Sequence, residues 1–355
     1  MGRSKVFANE LINWYEQNKR ELPWRDTDDP YKIWLSEIIL QQTRVAQGLP
    51  YYLAFVETYP TIYELARASE TEVLRLWQGL GYYSRARNLH ACAKMVVSDY
   101  GGKFPDNFDE LLKLKGIGRY TAAAIASFAF GQASAVVDGN VYRVLSRVFG
   151  IEEDISSTRG PKVFEVKANE LIDQGRPGTY NQAIMEFGAI QCSPKSPACG
   201  LCPFSSVCFA FNKNCIDLLP VKTKKVKVKK RYFTYLVFKL KEQYFFKERG
   251  KKDVWQGLFD FHLLETNDAF DLEQLALSLE EGNLGNVVIG NTSKLYEHVL
   301  THQRIFANFV QITIQESQLE KLLSFDSQLQ SYTIKQIRDL PKPVLISNYL
   351  ENHIF

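Results

Sequence analysis

Leu114-Lys115-Gly116-Ile117-Gly118-Arg119-Tyr120-Thr121-Ala122 is the stretch on which the rest of the chain turns. The amphipathic run Phe108 to Lys113 precedes it, and a helix of small residues, Thr121 to Phe130, follows it. Two glycines one residue apart between two helical patterns predict a hairpin, because such a turn enters backbone regions where a Cβ would clash. The N–H groups at the start of the second helix then point outward, and that end of a helix suits an anion such as a phosphate. An ordinary helix–helix turn would carry the same glycines. A carboxylate downstream, Asp138, and a cysteine cluster beyond it favour the phosphate-gripping reading.

The 355 residues favour two domains, and a hydrophobic content of 45% lets each bury a core. No apolar run reaches the length of a membrane span. Met1-Gly2-Arg3-Ser4-Lys5 leads straight into an amphipathic helix, so no signal peptide is expected, and Val6 breaks the myristoylation pattern. A net charge of +3 permits a nucleic-acid partner without demanding one. Four of the six cysteines crowd into 192–208. Without a secretory signal, that crowding points to a metal or cluster in a reducing, cytoplasmic compartment rather than to disulfides.

From Val6 to about Cys215 the pattern is helical with short turns. Val6, Leu11, Trp14 and Tyr15 begin a helix that Pro23 and Trp24 end; Pro30 restarts the chain, and Ile33, Trp34, Ile38 and Leu40 give the next helix its buried side. Further helices are expected at Tyr51–Tyr59, Ile62–Arg67, Glu72–Gln78, Ser84–Tyr100, from Asn140 to Arg147, at Lys162–Asp173 and at Asn181–Ile190. Lys222, Lys224, Lys225, Lys227, Lys229, Lys230 and Arg231 then form a basic run that reads as a linker, solvated or facing nucleic acid. Beyond it, Tyr232–Leu240, Tyr244–Glu248 and Phe306–Ile314 read as strands, and Leu272–Leu279, Gln318–Phe325 and Ile346–Asn352 as helices, an α+β half.

The chemistry lies in three places. Cys192, Cys199, Cys202 and Cys208 are spaced C-x6-C-x2-C-x5-C, a compact set of thiolates suited to a four-iron cluster. A four-cysteine zinc site usually pairs two close C-x-x-C units, and here there is one. Cys92 reads as core, and Cys215 has no evident partner. Asp138, in Val136-Val137-Asp138-Gly139-Asn140-Val141, has the chemistry of a helix N-cap. Glu37, in Trp34-Leu35-Ser36-Glu37-Ile38-Ile39-Leu40-Gln41-Gln42-Thr43, shares a helix face with Ile33, Trp34 and Gln41. Apolar surroundings raise a carboxyl pKa, as a general acid near neutrality requires; a surface glutamate beside a core stripe would show the same pattern.

Taken together, these motifs resemble the endonuclease III superfamily of helix-hairpin-helix DNA glycosylases, and within it the MutY-type adenine DNA glycosylases. Leu22-Pro23-Trp24-Arg25 and Gly79-Leu80-Gly81-Tyr82-Tyr83-Ser84-Arg85 strengthen the resemblance, which is dense up to about residue 220 and looser from 232 to 355. It implies a [4Fe–4S] cluster on the four cysteines. It implies that Glu37 protonates the departing adenine, while Asp138 stabilises or captures the sugar cation. Tyr120 stands where backbone-cutting relatives carry a Schiff-base lysine; Lys115, on the other side of the glycines, is not the matching position. Tyr120 would orient the second carboxylate, and Asn140 would position the water or Glu37. Gly116 and Gly118 would hold a DNA phosphate. Gln42 and Tyr82 would wedge into the duplex, with Thr43 and Leu80 touching the opposite base. Trp24, Arg25 and Gln182 would line the adenine pocket, and Glu186, one turn from Gln182, reads as structural.

The carboxyl half resembles the Nudix-like domain of the same family. Lys251-Lys252-Asp253-Val254-Trp255-Gln256-Gly257-Leu258-Phe259-Asp260-Phe261 matches that fold's Trp-Gly-Leu turn, and the paired glutamates of a hydrolytic Nudix box do not follow it. Tyr296-Glu297-His298-Val299-Leu300-Thr301-His302 aligns with the loop that reads 8-oxoguanine, with Leu300 where many relatives carry Phe. The expected architecture is a mostly α helix-hairpin-helix glycosylase module over 1–215 with a cluster loop at 192–208, a basic linker over 216–231, and an α+β Nudix-like recognition domain over 232–355. The expected activity is monofunctional release of adenine opposite 8-oxoguanine or guanine. The expected partner is double-stranded DNA carrying the mispair; the chain is expected to be monomeric, away from membranes, with contacts to other repair proteins left open. The rivals are an endonuclease III-like pyrimidine glycosylase with lyase activity, a non-catalytic iron–sulfur protein that binds damaged DNA, and a nucleotide pyrophosphohydrolase.

Overall fold

A computed structural model of the chain describes residues 3–223, 227–251, 253–268, 271, 273, 275, 277, 279, 284 and 287–355. Met1 and Gly2, part of the basic run (Lys224 and Lys225), Lys252 of the Trp-Gly-Leu segment, and part of the helix expected over 272–279 lie outside the described residues. The chain divides into two units, residues 1–67 with 88–224, and residues 68–87 with 225–355. The segment 68–87, which carries Leu80 and Tyr82, therefore groups with the carboxy-terminal residues although the sequence sets it among the helices.

In the first unit, Asp29 accepts a hydrogen bond from Tyr31 N, and Pro30 opens the helix Pro30–Leu40 at a position that needs no N–H donor. Eight of its residues are buried, Glu37 among them, so it is a core helix rather than a half-exposed stripe. The next helix, Val45–Thr58, starts earlier than its sequence suggests because Pro50 is accommodated inside it. Arg119–Phe128, Gly139–Phe149, Gly160–Leu171 and Pro177–Glu186 follow. A single π-helical turn, Phe187–Gln191, then leads into Cys192. The core gathers Leu11, Ile12, Val144, Leu145, Phe164, Tyr180 and Phe187, all 1% exposed or less. At about 25 cal/mol per Å² of buried apolar surface, side chains of this kind supply most of the driving force for folding.

In the second unit, Ser69 and Glu72 form a reciprocal capping box that starts the helix Glu70–Leu76. Eight strands among the described residues form one sheet: β1 (Lys229–Leu240), β2 (Gln243–Glu248), β3 (Phe259–Asp260), β4 (His262–Thr266), β5 (Val288–Thr292), β6 (Tyr296–Val299), β7 (Gln303–Thr313) and β8 (Gln330–Thr333). β1 and β7 run parallel in register, with Tyr235 opposite Phe309, and the other pairs are antiparallel. β1 is central, so Phe233 to Phe238 are all buried, the continuous apolar run expected of a strand covered on both faces.

β1 begins at Lys229, so the end of the basic run is strand, not tether. Arg231 is held by Asp253 at 3.0 Å and Glu265 at 2.6 Å. The segment expected as a reading loop is mostly the strand β6, with Leu300-Thr301-His302 forming its turn into β7, closed by Leu300 N donating to Gln303 O at 2.8 Å. In the Trp-Gly-Leu turn, Gly257 has φ +80°, a backbone that side-chain-bearing residues rarely adopt.

Candidate active site and metal loop

The hairpin forms as expected, with one refinement. Gly116 has φ +78°, and a Cβ there would stand 2.7 Å from Asn88 Cβ, so glycine is required. Gly118 is extended (φ −95°, ψ 176°) with open space around it. Its lack of a side chain leaves the start of the helix Arg119–Phe128 uncovered rather than relieving strain. A cleft of about 690 Å³ runs beside this turn, lined by Gln42, Gly116, Gly118, Arg119, Glu37, Tyr120 and Asp138. Gln42 adopts φ +54°, an uncommon conformation for a residue with a side chain and one that recurs at functional sites.

Glu37, Tyr120 and Asp138 also line a second cleft of about 610 Å³, with Trp24, Arg25, Gln182, Asn140 and Thr43 on its walls. Glu37 is 7% exposed. Burial pushes its carboxyl up to about 7, helped by the charge of Asp138 and opposed by a hydrogen bond from Tyr120 and the charge of Arg25. The Tyr120 hydroxyl donates to Met185 Sδ at 3.6 Å and lies close enough to Glu37 to hold that carboxyl's pKa down against the effect of burial.

Asp138 caps the helix Gly139–Phe149, accepting from Asn140 N at 2.9 Å and Val141 N at 2.8 Å, while its other oxygen accepts from Asn140 Nδ2 at 2.9 Å. Burial raises its pKa and these three bonds oppose the rise. Asn140 spends its side chain on Asp138 and on Arg143, whose Nη2 donates to Asn140 Oδ1 at 2.8 Å. It holds the aspartate.

The second cleft has an anchor that the sequence reading treated as structural. Glu186 is 1% exposed and receives Arg20 Nη2 at 2.6 Å and Arg25 Nη2 at 2.8 Å. Burial pushes its carboxyl up, but the bonds from the two arginines outweigh it and hold the group at about 2. Arg25 is thereby fixed, its guanidinium 5.6 Å from the Tyr15 ring centroid. Tyr15 in turn donates to Gln182 Oε1 at 2.7 Å. Trp24 is buried edge-on against Tyr52. The spacing of Gln182 and Glu186 on one helix face was the available signal; the arginines opposite come from a distant segment and left none.

Cys192, Cys199, Cys202 and Cys208 are free thiols. Burial pushes the Cys202 thiol up to about 11, and the charges of Cys192, Cys208 and Cys199 act in the same direction. Thiolates are unfavourable there without a metal core's positive charge, which is the environment a cluster suits. Among the described residues no three His, Cys, Asp or Glu side chains close on a single ion. Cys92 is fully buried in the core, as expected.

In the second unit, Leu80, Tyr82, Thr301 and His302 line one cavity of about 390 Å³ together with Trp255 and His298. The Tyr82 and Thr301 hydroxyls are hydrogen-bonded. Tyr82 also has positive φ, +49°.

The titration of Glu37 gives a stability prediction. Its folded-state value of about 7 exceeds the ordinary 4.5. Between those values the unfolded chain has released a proton that the folded chain keeps, so stability falls as pH rises through 7 and is undiminished below 4.5. Glu37→Gln removes this cost and should stabilise the protein by about 3 kcal/mol at pH 8 and by little near pH 5. Urea unfolding of both proteins at the two pH values checks it; an equal difference at both would contradict the buried acid.

The chain is similar to known proteins in sequence and in fold. Residues 35–172 match the HhH-GPD superfamily base excision DNA repair protein family, and residues 234–352 match the NUDIX domain family. A human adenine DNA glycosylase is 49% identical over 214 residues, which are 58% of this chain and 39% of that protein. The chain thus spans less than half of the human relative's length. An adenine DNA glycosylase of Buchnera aphidicola subsp. Schizaphis graminum is 37% identical over 266 residues, 74% of this chain and 76% of the relative. The structure of a thermostable thymine-DNA glycosylase superposes with a TM-score of 0.55 at 33% identity, covering 59% of this chain and 97% of that one. Among the described residues no helix is long and apolar enough to cross a membrane.

Proposed function

We propose that this chain, which belongs to the adenine DNA glycosylase family, hydrolyses the N-glycosidic bond of an adenine mispaired with 8-oxoguanine or guanine in duplex DNA and leaves the backbone uncut. The observation that carries the reading is the pair of carboxylates, buried Glu37 and partly buried Asp138, lining one cleft with unlike surroundings. Pairs of titratable groups whose environments differ in this way divide acid and base roles between them. Extruding a base costs a few kcal/mol of stacking and pairing, least at a mismatch.

The adenine enters the cleft lined by Trp24, Arg25 and Gln182, while the hairpin at Gly116 and Gly118 grips a neighbouring phosphate. Glu37 transfers its proton to adenine N7, and the bond between N9 and the sugar breaks with its electron pair leaving on the base. Asp138, ionised, stabilises the sugar cation or bonds to it. Water then supplies hydroxide to the sugar carbon and returns a proton to a carboxylate. Tyr120 supports Glu37, and Asn140 fixes Asp138. Gln42 and Tyr82 wedge into the duplex, Thr43 and Leu80 touch the opposite base, and Thr301 and His302 read it. Cys192, Cys199, Cys202 and Cys208 would hold a [4Fe–4S] cluster, which when bound cross-links the 192–208 loop.

Two tests separate this from its rivals. Tyr120 cannot form an imine, so borohydride should not trap the wild-type protein on substrate DNA, and strong trapping would favour a bifunctional lyase. Thr301 and His302 share a cavity with Tyr82, so replacing both by Ala should erase most of the preference for adenine opposite 8-oxoguanine over adenine opposite guanine. A good bidentate base contact is worth about 1–3 kcal/mol of discrimination, roughly five- to 150-fold. The comparison must hold salt constant, because phosphate contacts make binding salt-dependent. An unchanged preference would place the reader elsewhere.

A further inference from the structure

Arg147 lies on the helix Gly139–Phe149, one turn beyond Arg143, and is 3% exposed. Among the described residues its guanidinium donates only to uncharged oxygens and to a sulfur. Nε donates to Ile216 O and Leu219 O, both at 3.1 Å, Nη1 to Ser193 O at 2.8 Å, and Nη2 to Pro194 O at 3.2 Å. Nη1 also stands 3.6 Å from Cys192 Sγ, and Cys208 Sγ donates to the Arg147 carbonyl at 3.3 Å. Among the described residues Arg147 makes no ion pair with a carboxylate, and neither does Arg143, whose Nε binds Cys192 O at 2.8 Å. Arginine remains charged in proteins, and a buried charge without a counter-charge is costly. The carbonyls satisfy its donors but bring no net negative charge.

We propose that the partner of Arg147 is the metal–thiolate cluster itself: four thiolates around a cluster carry a net negative charge, and the buried guanidinium neutralises part of it. Arg147 is then a positioning and charge-balancing residue for the cluster, touching neither base nor sugar. The inference rests on the proposed cluster. A nearby positive charge favours the more reduced, more negative state of a cluster, so net charge and hydrogen bonding set its potential. Removing the charge should make the cluster easier to oxidise and to lose.

The test uses the full chain purified under reducing, oxygen-free conditions, with iron analysis, the visible absorbance of the cluster, and its midpoint potential. Wild type should hold about four irons per chain. Arg147→Met should lose iron several-fold faster to a chelator. In the fraction that keeps its cluster, the potential should fall by an amount equivalent to about tenfold in a one-electron equilibrium, ~59 mV. Arg147→Lys keeps the charge and loses most of the carbonyl bonds, and should stay close to wild type in potential. If Met matches wild type in both measures, or if Lys shifts the potential as far as Met, the charge role is overturned while the cluster stands. If wild type holds no iron, cluster and inference fall together. Should the Met variant not fold, Arg147→Gln, which is neutral but keeps a donor for the carbonyls, takes its place: a lowered potential with the Lys variant wild-type-like supports the role, and an unshifted potential overturns it.

Discussion

Replacing Glu37 by Gln is expected to slow adenine release by about 10²–10⁴-fold, the contribution typical of a positioned general acid. The substitution keeps the shape of the side chain and an acceptor for the Tyr120 hydroxyl, and removes only the transferable proton. The site is built to keep that proton: the helix Pro30–Leu40 is buried along most of its length and carries the carboxyl to 7% exposure, where its pKa reaches about 7. Duplex binding should persist, because the hairpin and the opposite-base residues are untouched. Single-turnover excision with a parallel binding measurement separates the two. Release within a few-fold of wild type would deny Glu37 the acid's role, whereas loss of both release and binding would point to a damaged fold.

Asp138→Asn is expected to cost about 10²–10³-fold in the same assay, the scale found when one preorganised electrostatic group is removed from a site where charge develops. Asp138 has two duties, and this substitution splits them. As a cap it accepts from Asn140 N and Val141 N through Oδ1, and an asparagine does that equally well. In the proposed reaction it acts as an anion toward the sugar, and asparagine cannot. The folded state should therefore survive with its melting behaviour little changed, while Asp138→Ala should lose about 1 kcal/mol with the cap as well as activity. If Asp138→Asn releases adenine nearly as fast as wild type, Asp138 is a cap and nothing more, and Glu37 would have to act alone.

What the sequence disclosed, and what it withheld, follows from the range of each interaction. The hairpin, the N-cap aspartate and the cysteine spacing are local, and each can be read within a few residues. The depth of Glu37 was only half legible: a stripe of apolar neighbours predicts a buried side, but burial on nearly every side depends on which other helices close around it. The contacts of Tyr120 and Asn140 were out of reach of the sequence for a related reason. Motif position says that these residues are near the carboxylates; only geometry says that the tyrosine turns to Glu37 and the amide to Asp138. Arg20 and Arg25 lie over 160 residues from Glu186, and no periodicity links them. In the carboxyl half the long central strands were recognisable from Tyr232–Leu240 and Phe306–Ile314. The short strands β3, β4, β5, β6 and β8 were not, because two to five residues give too little alternation to distinguish a strand from a loop.

The most direct test of the account is single-turnover base release from a matched set of duplexes: adenine opposite 8-oxoguanine, adenine opposite guanine, adenine opposite thymine, and oxidised pyrimidines opposite their partners. Each product is analysed with and without alkali, so that base loss and strand cleavage are read separately. The account predicts fast release of adenine opposite 8-oxoguanine, slower release opposite guanine, no release from the paired adenine or the pyrimidines, and strand breaks only after alkali. Release of an oxidised pyrimidine with strand cleavage before alkali, and intact adenine throughout, would contradict it.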